Sequence, residues 1–157
     1  MWSRGLEWNA GTRLTNGKWS VFVNASGNYA LTTSQKSKKE GDASIGKQLI
    51  FVPTTSMFFN AGMSFSGIFI NYNHTYTGYR YTTSDNTSFL EPYQTGNISF
   101  SGIADFKPVR LHITMQFYNI WNQKYEIVPS HPMPGRYFRV GVSFEFKKNL
   151  NNKTTKP

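Results

Sequence analysis

The last patterned stretch of the chain, from Arg136 to Phe146, alternates strictly between large apolar residues and polar or small ones. As a β-strand it would place its apolar side chains on one face, because successive side chains point to opposite faces. Those positions are Phe138, Val140, Val142, Phe144 and Phe146. The pattern is typical of a half-buried strand of a soluble sheet, or of a membrane-barrel strand with lipid on one side and water on the other.

The same alternation occurs in seven stretches, and each predicts a strand with one apolar face. They cover Leu6–Leu14, Trp19–Leu31, Met57–Phe65, Ile68–Tyr76, Ile98–Phe106, Val109–Phe117 and Phe138–Phe146. No apolar run approaches the roughly 18 residues of a membrane-spanning helix. The sequence therefore predicts an all-β chain of antiparallel strands.

The connections between these strands are alternately short and long. Short turns are predicted at Asn16-Gly17, Ser66-Gly67 and Lys107-Pro108, and long polar connections at residues 33–53, 84–92 and 121–135. Outer-membrane barrels have tight periplasmic turns and longer extracellular loops, whereas a soluble sandwich has no reason to sort loop length by end. The asymmetry favours the membrane barrel, with its short turns in the periplasm.

The composition also fits a barrel wall. Only 38% of the residues are hydrophobic but 17% are aromatic, with 13 Phe, 9 Tyr and 4 Trp. Polar residues that face a lumen dilute those that face lipid, so averaged hydropathy hides a membrane strand. The chain has no cysteine, which excludes a disulfide framework and a thiolate zinc site.

Seven strands do not close a bacterial single-chain barrel, which has an even number of strands. An unclosed sheet in lipid would leave unpaired backbone groups along both edges, each at a cost of several kcal/mol. We therefore expect either one undetected strand or a second polypeptide to complete the wall. The first residues, MWSRGLEWNAGTRL, lack the regions of a signal peptide, so the export signal is expected to be absent from this chain.

The net charge of +9 raises the question of nucleic-acid binding, but the distribution of the charges argues against it. Lysines gather in one Ser/Lys-rich loop and at or after the last strand, without a nucleic-acid-binding motif. They are Lys36, Lys38, Lys39, Lys147, Lys148, Lys153 and Lys156. We interpret them as a solvated loop and a basic polar tail over residues 147–157, with lipopolysaccharide phosphates as the natural anion for the loop.

No catalytic or metal-binding arrangement is recognisable, so we expect neither an enzyme nor a cofactor. The eight carboxylates form no paired motif, and His74, His112 and His131 have no acidic residue at a triad or metal-site spacing. His112 is expected to be a hydrated residue of the polar face. His74 is expected on the apolar face near the end of its strand, at an interface or in a bulge.

Ligand contacts are predicted in the long connections. Tyr79, Arg80 and Tyr81 follow the fourth strand, and aromatic rings with a guanidinium group bind large, flat, partly anionic molecules well. The alternative interpretation is an aromatic girdle with an interfacial Arg. His131 and Arg136 are further candidates, in a connection whose alternative role is that of a rigid connector.

A series of short motifs precedes and includes the last strand. It consists of Asn119-Ile120-Trp121-Asn122, Lys124-Tyr125-Glu126, Pro132-Met133-Pro134-Gly135-Arg136 and the terminal Phe146. The segment Leu111–Phe146 that contains them resembles the C-terminal end of TonB-dependent outer-membrane receptors, particularly the cobalamin-receptor-like group of the siderophore-receptor superfamily. Gly46-Lys47-Gln48-Leu49 with Val52-Pro53, and the stretch Tyr76–Thr83, resemble the same family. The similarity thus covers most of residues 1–146.

The resemblance implies that residues 1–146 form about seven strands of an antiparallel transmembrane barrel. They would be the last strands of a barrel of about 22 with a plug in its lumen, not closed by this chain alone. Such a receptor takes up a scarce bulky nutrient, a corrinoid, haem or ferric siderophore, across the Gram-negative outer membrane.

The implied partners are the chain with the remaining barrel and plug, the TonB complex acting through that chain, and the lipid bilayer. Phe138, Val140, Val142, Phe144 and Phe146 would face the lipid. Two alternatives stay open: a small eight-stranded outer-membrane barrel that serves as anchor or adhesin, and a soluble all-β binding module.

Overall fold

The chain folds into β-strands and connections, with no helix among the residues described. The computed structural model describes residues 1–36, 40–106 and 108–146. Its strands are β1 (Trp2–Asn16), β2 (Trp19–Thr33), β3 (Thr55–Phe65), β4 (Ile68–Thr77), β5 (Arg80–Tyr81), β6 (Phe89–Leu90), β7 (Tyr93–Phe106), β8 (Val109–Tyr118), β9 (Glu126–Val128), β10 (His131–Pro132) and β11 (Tyr137–Phe146). The predicted all-β class and the seven alternating strands are confirmed. The basic tail at 147–157 and residues Lys38, Lys39 and Lys107 lie outside the described residues.

The seven long strands form one antiparallel sheet in the order β1-β2-β3-β4-β7-β8-β11. Two separate ribbons, β5–β6 and β9–β10, lie within the connections. Because the number of long strands is odd, β1 and β11 run in the same direction. The sheet is open, and β1 and β11 are its two edge strands.

The ladders place the apolar positions of neighbouring strands opposite one another. One row across the whole sheet consists of Leu14, Val21, Met63, Ile70, Phe100, Met115 and Val140. Since side chains alternate along each strand, this register gives the sheet one continuous apolar face. The five alternating positions of β11 from Phe138 to Phe146 all lie on it.

This apolar face is uncovered in the part of the chain that the structure describes. Phe138, Val142 and Phe146 are 70%, 60% and 71% exposed, and Leu90 is the only buried hydrophobic residue there. Monomeric soluble proteins rarely expose continuous apolar patches of more than a few hundred Å². The face therefore has the character of a surface that is covered by a nonpolar environment or a partner.

The opposite face is polar and is linked by side-chain hydrogen bonds. The Asn60 amide on β3 donates to the Oδ1 of Asn71 at 2.8 Å and also to the Oδ1 of Asn73, both on β4. Farther along the sheet, Arg110 forms an ion pair with Asp105 at 2.8 Å. His112 lies on this face opposite Ser143, in agreement with the prediction.

Aromatic rings also cross the polar face near the short turns. Phe22 of β2 stacks with Phe69 of β4, with ring centres 6.1 Å apart. The Arg13 guanidinium lies 5.3 Å from the centre of the Phe22 ring. That ring lies over Gly62 of β3, where an added Cβ would collide with it. Because residue 62 has no side chain, the Phe22 ring can lie there between Arg13 and Phe69.

None of the residues that the structure describes belongs to a helix capable of crossing a membrane.

We predict that Gly62→Val lowers the free energy of unfolding by about 1–3 kcal/mol, because the new side chain expels the Phe22 ring from its place beside Arg13. Equilibrium unfolding in urea measures the change. Gly102→Val is the matched control, since nothing lies within 4 Å of a Cβ at that position. Equal stability of the two variants would show that the contacts of Phe22 with Arg13 and Phe69 contribute nothing to the free energy of unfolding.

Candidate functional site

The three long connections leave the sheet at the same end. They cover residues 34–54 between β2 and β3, 78–92 between β4 and β7, and 119–136 between β8 and β11. At the opposite end, β1–β2 and β3–β4 are each joined by two residues. The backbone is left-handed at Gly17, Ser66 and Gly67 in these turns. The predicted sorting of connections by length is confirmed, and we call the two ends the long-loop end and the short-turn end.

Reciprocal hydrogen bonds join the first two long connections. The backbone N–H of Gln48 donates to Oδ1 of Asn86 at 2.9 Å, and Nδ2 of Asn86 donates to the backbone carbonyl oxygen of Gln48 at 2.9 Å. Asn86 has a φ of 62°, a left-handed conformation that Asn adopts more readily than most residues. The Phe51 N–H also donates to the carbonyl oxygen of Tyr81 at 2.8 Å. These bonds fix the β5–β6 ribbon against the first connection.

Gln48 also ties the first connection to the sheet. Its side chain is buried, and its Oε1 accepts a hydrogen bond from the Thr32 N–H of β2 at 2.8 Å. The neighbouring Gly46 has a φ of 78°, which glycine adopts without strain. The Gly46–Leu49 motif, noted in the sequence for its resemblance to a receptor family, therefore has a structural role as an anchor.

Two asparagines shape the third connection. Asn119 is 4% exposed, and its backbone N–H donates to Oδ1 of Asn97 at 3.0 Å, while its own Oδ1 accepts from the Gln123 N–H at 2.9 Å. Asn122 Oδ1 accepts from the Arg136 N–H at 2.9 Å. Both asparagines have positive φ, 49° and 53°. The Asn-Ile-Trp-Asn motif thus ends β8 and positions the start of β11.

Stacked tyrosines and two arginines lie on the polar side at the long-loop end. Tyr93 and Tyr125 stack with ring centres 4.2 Å apart, and Tyr118 and Tyr137 stack at 4.6 Å. Arg80 lies 5.2 Å from the centre of the Tyr93 ring, and Arg139 lies 6.0 Å from that of Tyr118. We call this group the arginine–tyrosine ladder; it comprises Arg80, Tyr93, Tyr125, Tyr137, Tyr118 and Arg139.

The two halves of the ladder adjoin at Tyr125. Burial raises the pKa of the Tyr125 phenol, and the nearby hydroxyls of Tyr93 and Tyr137 raise it further. The phenol is therefore uncharged at neutral pH and can donate a hydrogen bond to a ligand. The ladder combines flat ring surface, neutral hydroxyl groups and two positive charges, which suits it to a planar molecule with anionic groups.

Arg80, a predicted ligand contact, is buried within this ladder. It is 5% exposed, and its Nη2 donates to the carbonyl oxygen of Glu126 at 2.8 Å. Its buried Nε has no hydrogen-bond partner among the residues that the structure describes. The side chain thus holds the third connection onto Tyr93, whereas Arg139 at the other end of the ladder is exposed.

Tyr79 and Tyr81 flank Arg80 in the chain and point away from it, because successive side chains of an extended segment face opposite sides. They form a separate cluster with Phe89 of β6. The ring centres of Tyr79 and Tyr81 are 5.5 Å apart, and those of Tyr79 and Phe89 are 6.1 Å apart, both edge to face. With Asn86 and Thr87, these rings line a cleft of about 250 Å³. The predicted Tyr-Arg-Tyr group is therefore divided between two sites.

The remaining histidine and arginine candidates lie at the rim or on the apolar face. His131 is exposed in β10, with Nδ1 2.9 Å from the carbonyl oxygen of Pro129, and the Arg136 side chain is exposed beside Tyr137. His74 lies on the apolar face with Nδ1 2.8 Å from the Tyr72 hydroxyl, in a strand whose pairing has no bulge. No cluster of three metal-ligating side chains occurs within the described residues.

Sequence reasoning did not identify most of the ladder. Tyr118 and Tyr137 flank the third connection at positions that share the polar face, and antiparallel pairing places them directly opposite each other. The alternation of each strand already places both tyrosines on the polar face, so the sequence alone could have identified this pair. The stacking of Tyr125 on Tyr93 depends on the path of a connection and has no local pattern.

Comparisons with known proteins give a fold but no family. No family model matches the chain, and no curated protein matches it. Among solved structures, it is similar to BauA, the ferric preacinetobactin receptor from Acinetobacter baumannii, with a TM-score of 0.65 and 12% sequence identity. The similarity covers 89% of this chain but 26% of that chain. It shows that the open sheet shares the fold of part of that chain.

We predict that Asn86→Ala speeds amide hydrogen exchange at Gln48 at least about ten-fold, because a buried N–H loses its acceptor. Mass spectrometry or NMR of the exchanging protein measures this rate. Asn86→Gly is the matched variant, since it also removes the amide but tolerates the left-handed backbone. It should show the same loss of protection at Gln48 with a smaller loss of overall stability. Unchanged exchange in both would contradict the anchoring role.

Proposed function

We propose that this chain forms the C-terminal part of the wall of a TonB-dependent outer-membrane receptor. The receptor takes up a scarce bulky nutrient, a corrinoid, haem or ferric siderophore, and this chain contributes wall strands and extracellular loops. The observation that carries the proposal is the open, two-faced sheet with all long connections at one end, a fold similar to part of a ferric preacinetobactin receptor. Its seven strands would belong to a barrel of about 22.

The uncovered apolar face supports a place in the lipid bilayer. In water, the exposed side chains from Phe138 to Phe146 would be unfavourable, whereas in hydrocarbon they are solvated. Aromatic rings lie at both ends of this face. Trp19 stacks on Phe65 at the short-turn end, and Trp121 packs with Tyr72 over Gly96 at the long-loop end. Such aromatic bands are typical of the two interfaces of an outer-membrane barrel.

The directions of the edge strands restrict the partner that completes the wall. β1 and β11 run the same way, so a segment that pairs antiparallel with both must begin and end with strands running the opposite way. Such a segment has an odd number of strands. The proposed partner is the remaining barrel with its plug, in a separate chain or a longer form of this one. The TonB complex would act on that plug to drive uptake of the bound ligand.

The long-loop end would face the outside of the cell and the short turns the periplasm. The arginine–tyrosine ladder then lies on the lumen side near the mouth, where it would contact the incoming nutrient. His131 and Arg136 occupy the rim above it, and exposed Lys36 would lie near lipopolysaccharide phosphates. In this proposal, the strands provide passage and binding surface and perform no catalysis.

We predict that Val140→Arg reduces stable membrane insertion, at a cost of about 2–4 kcal/mol for a charge in the hydrocarbon layer. Gly141→Arg is the matched control, because it places the same charge on the polar face, where nothing lies within 4 Å of a Cβ. The fraction of protein that resists extraction of membranes with urea gives the readout. Recovery of unmodified protein in the aqueous fraction without detergent would contradict the membrane assignment.

Uptake in cells tests the function directly. We expect accumulation of at least one radiolabelled ligand, among cobalamin, haem and a panel of ferric siderophores, to require both this chain and TonB. Tyr125→Ala should raise the apparent KM about 3–10-fold through loss of one stacked ring. His112→Ala, on the same face but away from the ladder, should leave it unchanged. Uptake that persists without TonB, or a lone heat-modifiable monomer with no copurifying wall segment, would refute the receptor.

A further inference from the structure

The aromatic cleft on the β5–β6 ribbon differs in chemistry from the arginine–tyrosine ladder. Its lining consists of Tyr79, Tyr81, Phe89, Asn86 and Thr87, none of which carries a formal charge at neutral pH. Arg80 lies between the two tyrosines in sequence but packs on Tyr93 instead. The cleft therefore offers ring surface and neutral hydrogen-bonding groups without a cation.

The rings of this cleft are accessible. Phe89 is 53% exposed and Tyr79 is 40% exposed, beside the polar turn of residues 82–88 that joins β5 to β6. Clustered apolar rings on a polar surface mark an interaction site more often than isolated ones do. Their edge-to-face arrangement leaves a concave surface between them rather than a closed stack.

The polar groups of the cleft are neutral, and some retain hydrogen-bonding capacity. Burial raises the pKa of Tyr81, and so does hydrogen bonding of its hydroxyl to that of Tyr79, so that the Tyr81 phenol stays protonated near neutral pH. The Thr87 hydroxyl donates to Asp85 at 2.9 Å and lies 3.3 Å from the Thr83 hydroxyl; with two lone pairs on its oxygen, it can still accept a further hydrogen bond. The Tyr81 phenol can donate a hydrogen bond to a neutral polyhydroxylated ligand, and the Thr87 hydroxyl can accept one from it.

The shape of the cleft is held by the ribbon and its anchor. The Thr82 N–H donates to the carbonyl oxygen of Ser88 at 2.9 Å, and Asn86 is fixed by its bonds to Gln48. A cleft held in this way loses little conformational entropy on binding. Its volume of about 250 Å³ lies below the range of about 300–1,000 Å³ for drug-sized ligands, which suits it to a single sugar ring.

We propose that this cleft is a carbohydrate-binding site that accepts one pyranose unit, with its C–H face on the rings of Tyr79 and Phe89 and its hydroxyl groups toward Tyr81 and Thr87. A pyranose ring has an apolar face and a rim of neutral hydroxyls, and the cleft provides the complement of both. An anionic chelate would lack a positive partner here. The site rests on the ribbon alone and does not depend on the receptor function proposed above.

The pyranose could belong to a free saccharide or to the glycan of a glycolipid such as lipopolysaccharide. Both sources present the same ring chemistry to the cleft. They differ in whether the sugar competes from solution or from the membrane surface, and the experiment below separates them.

Saturation-transfer difference NMR tests the site on the full chain, extracted with any wall segment that copurifies. The detergent must carry no sugar, as in lauryldimethylamine oxide. The probes are the methyl pyranosides of glucose, galactose, mannose and N-acetylglucosamine. We expect transfer to the ring C–H protons of at least one probe. Tyr79→Ala with Phe89→Ala should weaken binding about ten-fold, whereas Tyr79→Phe should retain most of it.

His112→Ala, on the polar face of β8 and outside both the cleft and the ladder, is the control and should bind the probe normally. Far-ultraviolet circular dichroism and protection of the Gln48 amide verify that each variant is folded. Displacement of the probe by purified lipopolysaccharide would identify the glycolipid as the source, and no displacement would favour a free saccharide. The proposal is overturned if the folded protein shows no transfer to any probe, or if the double variant binds as well as the unmodified protein.

Discussion

The structure depends on the register of the six ladders in the seven-stranded sheet. Because side chains alternate along a strand, a slip of one residue in any ladder would move every apolar side chain of one strand to the polar face. The row from Leu14 to Val140 shows that no ladder has slipped. Two-residue connections fix the register at the short-turn end, where β1–β2 and β3–β4 have no freedom to shift. The apolar face, the polar face and the grouping of the long connections all follow from this register.

The long connections then behave as one hydrogen-bonded layer rather than as independent loops. Asn86, Asn119 and Asn122 each combine a left-handed backbone with side-chain bonds to another part of the chain. Asparagine suits these positions because it tolerates positive φ and offers both a donor and an acceptor. The resulting order separates two surfaces with different charge: the cationic ladder over the polar face, and the neutral aromatic cleft on the outer side of the β5–β6 ribbon.

Much of the fold was predictable from the sequence, but less of the candidate site. The seven long strands were predicted to within a few residues except at β1, which begins at Trp2, and β7, which begins at Tyr93, whereas the short strands β5, β6, β9 and β10 were not predicted. Both additional stretches lack strict alternation, so periodicity missed them. Tyr79, Arg80 and Tyr81 were correctly placed after β4. Their division between two sites was not foreseen, because it depends on the packing of Arg80 against Tyr93 and Glu126.

The sequence by itself determined which residues share a face and where the chain turns, because these follow from the two-residue repeat and from local turn chemistry. Only the tertiary structure decided which side chains meet within the long connections. Gln48 and Asn86 are 38 residues apart, and Arg80 and Glu126 are 46 apart. Contacts at such separations depend on the path of irregular backbone, which no repeating pattern encodes. The order of the strands likewise required the whole sheet, which shows that β1 and β11 form its two edges.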